Sequence, residues 1–491
     1  MTSLHGLPEP RIEVEGQRLD AEALRGLESV RVHQALSLPA GCELVFAAPR
    51  QPGALQHLTP GAALRVSLGA WREPLFEGEV TAVDAVHAAS GTCQLRVRGQ
   101  EVLHRLRERQ PVRAHVQVTV EDLARELVAD LGLSVEASEA GPRGQHLIQH
   151  GQSDLEWLVE QSERWGLWWV LDGRVLRLLS LEGHGEALPL RWGESLVEAS
   201  VETRGPSACR AVASAGWNAS RGEVYTARAG DAGSGPGRTL VEGRTESAAH
   251  AEARARAEWA YQRARERVLT GVARGDPRLR PGTRVALQGV LPGAEGRYVL
   301  TTVTHTLDAR HGFLSEVSSA PPPRRARTRA SPVVPGVVSR VDDPEGLGRV
   351  RVSLSTCGEV ETDWMQVLCL GAGAGKGLVV LPDVGDHVLL LLAEEDPACG
   401  VVMGGLYGSH APPDAGVTGT AVRRFNLLTP EGLKLRFNDE TRTLRLEDTR
   451  GSYLQLSPGV VRLHAETALE IEAPGQPLRI EAARIDFRRR D

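Results

Sequence analysis

The chain has 491 residues and a formal net charge of −6 at pH 7. A chain of this length holds three or four domains, each large enough to bury its own core. The negative charge argues against a protein whose main partner is nucleic acid or an anionic membrane surface. Glycine and proline are frequent, at 53 and 29 residues, whereas aromatic residues make up only 4 %. This composition predicts turn-rich β architecture rather than a helical bundle.

Cysteine usage and the chain start bear on the cellular compartment. The six cysteines are scattered and form no C-x-x-C motif, so neither a disulfide framework nor a zinc site is expected. Residues 1–8 lack the basic and apolar regions of a signal peptide. The longest apolar run, residues 388–393, is far too short to cross a bilayer. We expect synthesis in the cytoplasm, and any export would occur as part of a larger particle.

The first part of the chain is rich in short alternating segments. Apolar and polar residues alternate, with Gly and Pro between the segments, at residues 11–15, 29–33, 42–46, 64–68, 75–83 and 93–97. Period-two alternation bounded by turn residues indicates antiparallel strands. Residues 1–110 are therefore predicted to form a small β-barrel.

Residues 111–245 mix helix and strand signals. Thr119 precedes an acidic first turn and an apolar helix face that ends at Gly132. Ser153 and Glu156 form a capping box that begins a second helix. An Asp-Gly turn at Asp172 joins two apolar segments, which predicts a hairpin. This part is assigned to an α/β insertion.

Residues 246–320 are predicted to form a helix and a second barrel. Residues 246–269 are rich in Ala and Arg, with Glu252 and Arg256 at i, i+4, so we expect a solvent-lined helix. The strand signals in residues 281–305 follow a Pro-Gly pair, as those in residues 60–83 do. This weak internal repeat suggests two related barrels.

The rest of the chain alternates linkers and β segments. Residues 321–332 are rich in Pro and Arg, which predicts a stiff, solvated linker. Residues 333–409 read as a compact β unit, and residues 410–420 as a second, short linker. Residues 421–491 follow as a ladder of very short strands.

The ladder carries apolar residues at every second position. The pairs, which recur about every seven to eleven residues, are Leu433 and Leu435, Leu444 and Leu446, Leu454 and Leu456, Val461 and Leu463, Leu469 and Ile471, Leu478 and Ile480, and Ile485 and Phe487. Alternation places these side chains on one face and charged side chains on the other. A lone meander this narrow would leave an apolar face and two open edges. The ladder therefore predicts an intertwined homo-oligomer.

One segment resembles a known family. The string VDDPEGLGRVRV at residues 341–352 is followed by Trp364, by GAGAGKG at 371–377, by LPDVGDHVL at 381–389 and by VVMGGLY at 401–407. This order resembles the OB-fold domain of VgrG-like spike proteins of contractile injection systems and phage tails. Residues 149–169 and 281–305 resemble the hub of that family, and residues 421–487 resemble its β-helical needle.

The resemblance implies a mainly β protein of defined architecture. It comprises two hub β-barrels (1–110 and 246–320), the α/β insertion at 111–245, an OB-fold collar at 333–409 and a needle at 421–491. In this family three chains form a homotrimer whose two barrels per chain give a pseudo-sixfold ring. The three tails wind into an intertwined triple-stranded β-helix. The implied function is a structural central spike that adapts a sixfold tube to a threefold needle puncturing the target envelope.

Candidate chemical sites have simpler interpretations. The glycine-rich residues 371–377 depart from the G-x-x-x-x-G-K-[ST] phosphate loop, because Leu370 replaces its first Gly and Gly377 its Ser/Thr. We read the acidic residues Asp383, Asp386 and 394–396 as turn residues. Tryptophans 157, 165, 168 and 169 are interpreted as core residues rather than a ligand platform. Because no catalytic motif is present either, we expect no catalytic, cofactor-binding or metal-binding residues, and no enzyme activity.

The alternatives differ in their partners. A type VI secretion spike carrying effectors is the second reading. A tail-associated peptidoglycan hydrolase is disfavoured, because the linker 410–420 leaves no room for a catalytic domain. An OB-fold nucleic-acid binder would need a basic, aromatic groove that residues 333–407 lack. For the spike, expected partners are an inner tube protein, baseplate proteins, effector cargo, and a PAAR-like tip protein near Phe487, Arg488 and Arg490. The target membrane is contacted only on firing, and the particle is released extracellularly in one reading.

Overall fold

The structure is a computed structural model that divides into two compact units, residues 1–405 and 406–491. It describes residues 8–488 apart from gaps at 48–54, 70, 88, 90–92, 205–209, 219–222, 231–236, 243–244, 325–331, 355–357, 394–395 and 409. Most of the predicted Pro/Arg linker, Arg490 and the acidic pair at 394–395 lie outside the described residues. Within them, no helix is long and apolar enough to span a bilayer.

The first part forms the expected antiparallel strands. The elements are β1 (Pro10–Val14), β2 (Gln17–Arg18), α1 (Ala21–Arg25), β3 (Leu27–Ala35), β4 (Leu38–Ala47), β5 (Ala63–Leu68), β6 (Phe76–His87) and β7 (Cys93–Gln100). Alternate residues of these strands face one core, where Ile12, Val30, Leu44, Phe46 and Leu64 are almost fully buried. The strands enclose this core because their apolar residues recur with period two.

The insertion contains the two predicted capped helices and the hairpin. Its elements are the 3₁₀ helices Val102–Arg107 and Ala129–Leu131, β8 (Arg113–Val118), α2 (Val120–Val128), β9 (Ser134–Ala137), β10 (Gly144–Gln149), α3 (Asp154–Arg164), β11 (Trp168–Asp172) and β12 (Val175–Leu179). Thr119 and Ser153 each accept a hydrogen bond from the third helical residue in a complete capping box. The 3₁₀ turn after α2 ends at Gly132, which adopts a left-handed conformation with φ 64°.

The next part builds the second barrel and a side sheet. Its elements are β13 (His184–Arg191), β14 (Leu196–Thr203), β15 (Ala211–Asn218), β16 (Glu223–Gly230), β17 (Gly237–Glu242), α4 (Ala248–Ala264), β18 (Arg267–Arg274), β19 (Thr283–Gln288), β20 (Gly296–Val299), β21 (Thr302–Asp308) and β22 (Gly312–Ser318). β14 pairs with β18, and β13 with β19. The second barrel therefore draws strands from residues that the sequence assigned to the insertion.

The helix predicted over residues 246–269 as solvent-lined is shorter and half-buried. α4 ends at Ala264 and packs against β15 and β16. Ala251 and Ala255 are fully buried, because their small side chains allow the sheet to approach the helix closely. Glu252 and Arg256 do face outward. Residues beyond 266 form β18, because Leu269 is needed in the second barrel core.

Strands of both barrels share one eleven-stranded sheet, while β13, β19 and β20 of the second barrel form a separate three-stranded sheet. The strand order of the eleven-stranded sheet is β14-β18-β22-β21-β3-β4-β7-β6-β5-β1-β2. The second barrel contributes the first four strands and the first barrel the remaining seven. The two meet where β21 pairs antiparallel with β3. The expected barrels are therefore continuous in the backbone hydrogen-bond ladder, which sequence patterning did not predict.

The β unit after the linker has its own core. Its six-stranded sheet is built from β23 (Val333–Arg340), β24 (Arg351–Leu354), β25 (Val360–Glu361), β26 (Gln366–Val367), β27 (His387–Leu392) and β28 (Gly400–Leu406). Val338, Val352, Val388, Leu390 and Val402 are almost fully buried in its centre. These residues alternate along the strands, as the sequence pattern required.

The second unit is an open meander. Short strands β29 (Val417–Thr418) and β30 (Ala421–Val422) precede the sheet β31 (Arg424–Leu428), β32 (Lys434–Asn438), β33 (Thr443–Glu447), β34 (Tyr453–Ser457) and β35 (Val460–His464). The strands expected around Leu469, Leu478 and Ile485 are not formed in the single chain, where described residues 465–488 carry no strand. A strand needs a hydrogen-bonding neighbour, and one chain supplies none at these positions.

Candidate functional site

The turns that open β5 and β19 are structural copies of each other. Gly61 and Gly282 adopt φ values of 91° and 87°, which L-residues rarely adopt. The Gly61 N–H donates to the Val80 carbonyl over 2.8 Å, and the Gly282 N–H donates to the Leu300 carbonyl over 2.7 Å. The internal repeat seen in the sequence thus extends to individual hydrogen bonds.

Two irregularities recur at matching positions of the two barrels. One is a register shift after Leu27 in β3, which has its counterpart after Leu196 in β14. The other lies one residue after the repeated turn contacts, where the Thr81 hydroxyl donates to the Arg98 carbonyl and the Thr301 hydroxyl to the Ser318 carbonyl, over 3.2 and 3.0 Å. Bulges set the twist and face of a strand. The two barrels are therefore aligned residue by residue, with β3 matching β14 and β6 matching β20 and β21.

The junction between the barrels joins non-equivalent strands. β21 of the second barrel pairs with β3 of the first over seven residues, from Thr302 opposite Ala35 to Asp308 opposite Ser29. Leu307 is 7 % exposed and belongs to the core of the first barrel, against which Phe313 also packs. The two barrels are thus arranged head to tail, which here means that β21 of one barrel pairs with β3 of the next.

The strands that correspond to β3 and β21 have open edges at the two ends of the barrel pair. Among the described residues, β14 lies at one end of the sheet, and β6 has no neighbour beyond Glu79 on the side away from β7. β6 matches β21, and β14 matches β3. The open edges therefore carry the backbone geometry that the internal junction uses, and an unpaired strand edge is a template for another chain.

The tail sheet exposes a continuous apolar face. Two rows of apolar side chains cross the five strands through Phe425, Leu427, Leu435, Phe437, Leu444, Leu446, Leu454, Leu456, Val461 and Leu463. Leu446 is 54 % exposed and Leu463 60 % exposed, although both lie on this face. Ile480 and Phe487 are also exposed. A patch of this kind marks an interaction surface.

The opposite face of the tail sheet is polar and internally satisfied. The Arg445 guanidinium bonds Glu447 and Gln455 and stacks on the Tyr453 ring at 3.9 Å. Asp414 accepts two hydrogen bonds from Arg424, at 2.9 and 3.1 Å. The polar side chains of this face are paired with one another, whereas the side chains of the apolar face are exposed to solvent.

The candidate phosphate loop is a closed turn. The backbone N–H groups of Gly373 and Lys376 donate to each other's carbonyls, each over 3.1 Å. These donors therefore do not converge on a ligand, and no helix follows the loop among the described residues. This geometry agrees with the prediction that residues 371–377 form a turn.

The other weighed residues are also placed in structural roles. The Asp386 carboxylate accepts from the Asp383 N–H over 2.8 Å within one turn. Trp157, Trp168 and Trp169 are at most 4 % exposed. Trp165 packs against His250, with ring centroids 5.0 Å apart. The described residues contain no group of three or more His, Cys, Asp or Glu side chains that could hold a metal ion.

A buried ion pair stabilises the β unit. The Asp343 carboxylate accepts two hydrogen bonds from the Arg349 guanidinium, at 2.7 and 3.0 Å, and both side chains are almost fully buried. The hydrogen bonds from Arg349 lower the pKa of Asp343 far below its usual range, and backbone N–H donors act in the same direction. The pair fixes the loop at residues 343–349, which lies within the VDDPEGLGRVRV string.

The sequence reading missed a cavity between the barrels and the β11–β12 hairpin. Its volume is about 200 Å³, and Glu101, Gln34, Asp172, His184 and Arg280 are among its lining residues. Burial raises the pKa of Glu101 to about 8. The lining comes from distant parts of the chain, so no local sequence signal could have found it.

Comparisons with known proteins agree with this architecture. The profile of the phage tail baseplate hub (GPD) matches residues 33–310. The profile of the type VI secretion system/phage-baseplate injector OB domain matches residues 334–407. No curated protein matches the sequence.

Several solved structures share the fold at low sequence identity. An E. coli component of the type VI secretion system, described as similar to the T4 bacteriophage tail proteins gp27 and gp5, aligns with a TM-score of 0.53 and 14 % identity, covering 80 % of this chain and 99 % of its own. A lidded Francisella PdpA–VgrG complex aligns at 0.55 and 8 %, covering 94 % and 80 %. A 43 kDa tail protein of the Shewanella oneidensis prophage MuSo2 aligns at 0.50 and 15 %, covering 63 % and 97 %.

The tandem barrels and the following OB domain define a VgrG-like hub and spike protein. Because the hub profile spans more than half of the sequence, the chain belongs to the phage tail baseplate hub family. Hub and spike families are structural, and the mainly β architecture with an OB-type domain is confirmed.

Proposed function

We propose that the protein assembles as a homotrimer and forms the central spike of a contractile, phage-tail-like injection particle. Three copies supply six barrels to one ring and three tail units to one needle. The observation that carries the proposal is the head-to-tail order of two matching barrels within one sheet. A heterologous contact of this kind repeats until the rotation closes a ring.

The internal junction supplies a register for the contact between copies. Transferring the β21–β3 pairing to β6 of one copy and β14 of the next places Val83 opposite Thr203, Ala85 opposite Val201 and His87 opposite Ala199. The matched bulges in the two barrels support this transfer. A ring of six similar barrels fits a sixfold tube, so the inner tube protein and baseplate proteins are the partners of this ring.

The tail units complete the spike. Three copies packed by their apolar faces bury the exposed leucines and give residues 465–488 neighbours with which to form strands. A prism of this kind has a dry core and a charged exterior, which suits a shaft that punctures an envelope. A PAAR-like tip protein would contact its end near Phe487 and Arg488, and near Arg490 outside the described residues.

A type VI secretion spike carrying effectors is the second candidate. It is favoured by the alignment with the E. coli type VI component over nearly that protein's whole length. A peptidoglycan hydrolase is disfavoured, because only ten residues separate β28, which ends at Leu406, from β29, which begins at Val417. The proposed role is therefore non-enzymatic. The particle is assembled in the cytoplasm, and in one interpretation it is released from the cell.

Mass in solution tests the trimer directly. Light scattering of the full chain should give three times 52.9 kDa, whereas a well-folded monomer would contradict both ring and needle.

Ile471→Asp and Ile480→Asp should block tail assembly, because three charges would meet in one apolar core. Measurable cleavage of peptidoglycan by the pure protein would contradict the non-enzymatic role. Secretion of the spike free of a sheathed particle would favour the type VI candidate.

A further inference from the structure

The cavity between the two barrels is lined by charged residues from three parts of the fold. Glu101 and Gln34 come from the first barrel, Asp172 from the β11–β12 hairpin, and Arg280 from the segment before β19. Asp172 is about half exposed, whereas Glu101 is 6 % exposed. The cavity therefore has an accessible rim at Asp172 and a buried carboxyl group at its inner end.

Two acceptor atoms in this cavity lack donors. Among the described residues, Glu101 Oε1 and Gln34 Oε1 are buried without a hydrogen-bond partner. A buried acceptor left without a donor costs about 1–3 kcal/mol. Arg280 does not satisfy them, because its guanidinium donates to Asp172, to the Pro74 carbonyl and to the Pro277 carbonyl. The two oxygens are thus available to a ligand with N–H donors once the Glu101 carboxyl group is ionised.

The charges around the cavity balance one another apart from the buried carboxyl group of Glu101. Glu73, Glu101 and Asp172 line it, together with Arg278 and Arg280. Asp276, which lies just outside, already holds Arg278 in a bidentate pair at 2.7 and 3.0 Å. Asp172 also pairs with Arg177 at 3.3 Å, so three carboxylates and three guanidinium groups lie at or beside the lining, and ionisation of Glu101 adds the charge that a cation would neutralise. Burial lowers the pKa of His184, so the remaining titratable group of the lining is neutral at pH 7.

We propose that this cavity binds an organic cation, a guanidinium or primary ammonium group, through Glu101 and Gln34. A volume of about 200 Å³ is many times what one water molecule needs, enough for the end of an arginine side chain or a small diamine. The cation comes either from a free metabolite-sized amine or from a basic side chain of a docked protein.

Binding should be linked to a proton. Since burial raises the pKa of Glu101 to about 8, the carboxyl group is mostly protonated at pH 7 when the cavity is empty. A bound cation favours the ionised form, so close to one proton leaves Glu101 as the ligand enters. Affinity should therefore increase as the pH rises from 6 to 8.

Titration calorimetry of the full chain tests the site with two probes, agmatine and N-acetyl-arginine amide. We expect agmatine binding at pH 7 with a heat that depends on the buffer's ionisation enthalpy. Binding of both probes would indicate a side chain of a partner as the source, and binding of agmatine alone a free amine. Glu101→Gln should weaken binding at least ~tenfold and abolish proton release, while Glu108→Gln, an exposed neighbour, should leave both unchanged.

A second variant keeps the result interpretable. Ala35→Leu fills part of the cavity without changing its charge and should also abolish binding. No binding of either probe to the folded wild-type chain, or equal binding by the Glu101→Gln chain, would overturn the proposal. Neither outcome affects the trimer, which is read separately from mass.

Discussion

The two compact units of the chain differ in how they close their cores. In residues 1–405, apolar residues of each barrel and of the OB domain are buried by neighbours from the same chain. In residues 406–491, the alternating pattern is as regular, yet the apolar face stays exposed. The difference teaches that the apolar residues of the hub are covered within one chain, whereas the apolar face of the tail is left for the association between chains that we propose.

A second difference lies within the hub. At the internal junction Leu307 is buried in the core of the first barrel, and the partly buried Phe313 packs against that core. The corresponding residues of the first barrel are His87, at the open edge of β6, and Cys93, opposite it on β7, and their Nδ1 and Sγ atoms lie 3.0 Å apart. The same backbone arrangement thus carries apolar side chains inside the chain and polar ones at its edge. We expect the internal junction to form first and the contact between copies to be weaker.

The largest effect is expected in the tail. Leu454→Asp places a charge on the apolar face in each chain, so trimeric assembly of the tail should be lost, at a cost of several kcal/mol per chain for an unpaired buried charge, roughly 3–5. Gln455→Asp, one residue along β34 on the polar face, is the matched control and should assemble. Proteolysis of the tail followed by mass spectrometry distinguishes the two. Equal protection of both variants would contradict an apolar interface.

Breaking the internal junction should destabilise the single chain. Leu307→His with Phe313→Cys gives this junction the side chains of the open edge and removes apolar atoms from the first barrel core. The expected loss of unfolding free energy is about 4 kcal/mol, as for other large core deletions. Urea denaturation of the full chain measures it. A change below ~1 kcal/mol would show that the junction contributes little to the barrels.

The OB domain should lose stability at low pH through its buried pair. The Arg349 hydrogen bonds depress the pKa of Asp343 in the folded state, so this contribution is present above the unfolded pKa of about 4 and is lost as the pH falls below it. Asp343→Asn should destabilise the domain by roughly 3 kcal/mol at pH 7 and flatten this dependence. Asp342→Asn, its exposed neighbour, is the control. Thermal unfolding between pH 2 and 7 provides the measurement.

The smallest effect is the reverse exchange at the open edge. His87→Leu with Cys93→Phe should leave the unfolding free energy of the chain nearly unchanged, because His87 lies at an open strand edge and Cys93 opposite it at the start of β7 is only partly buried. It should strengthen association between copies by about 1–2 kcal/mol through added apolar burial. Sedimentation equilibrium over a range of concentrations reports the shift. Unchanged association would place the contact between copies elsewhere.

Local signals in the sequence were sufficient for several elements. The capping boxes at Thr119 and Ser153 and the Asp172 turn involve residues within a few positions of each other, so their interactions are readable from spacing alone. The OB motif and the rungs of β32 to β35 were also recognisable. The exposed face of α4 was correct at Glu252 and Arg256. Its extent was wrong, because the burial of its alanines depends on the distant strands β15 and β16.

By itself the sequence determined which residues alternate, where helices begin, and that one chain cannot cover the face of its own tail. Only the tertiary structure decided that β21 pairs with β3 and that two open edges have the same backbone geometry as this junction. It also decided that Glu101, Gln34, Asp172 and Arg280 line one cavity. The physical reason is range. Alternation and capping act between neighbours along the chain, whereas strand partners and cavity linings are selected by packing between residues far apart in sequence.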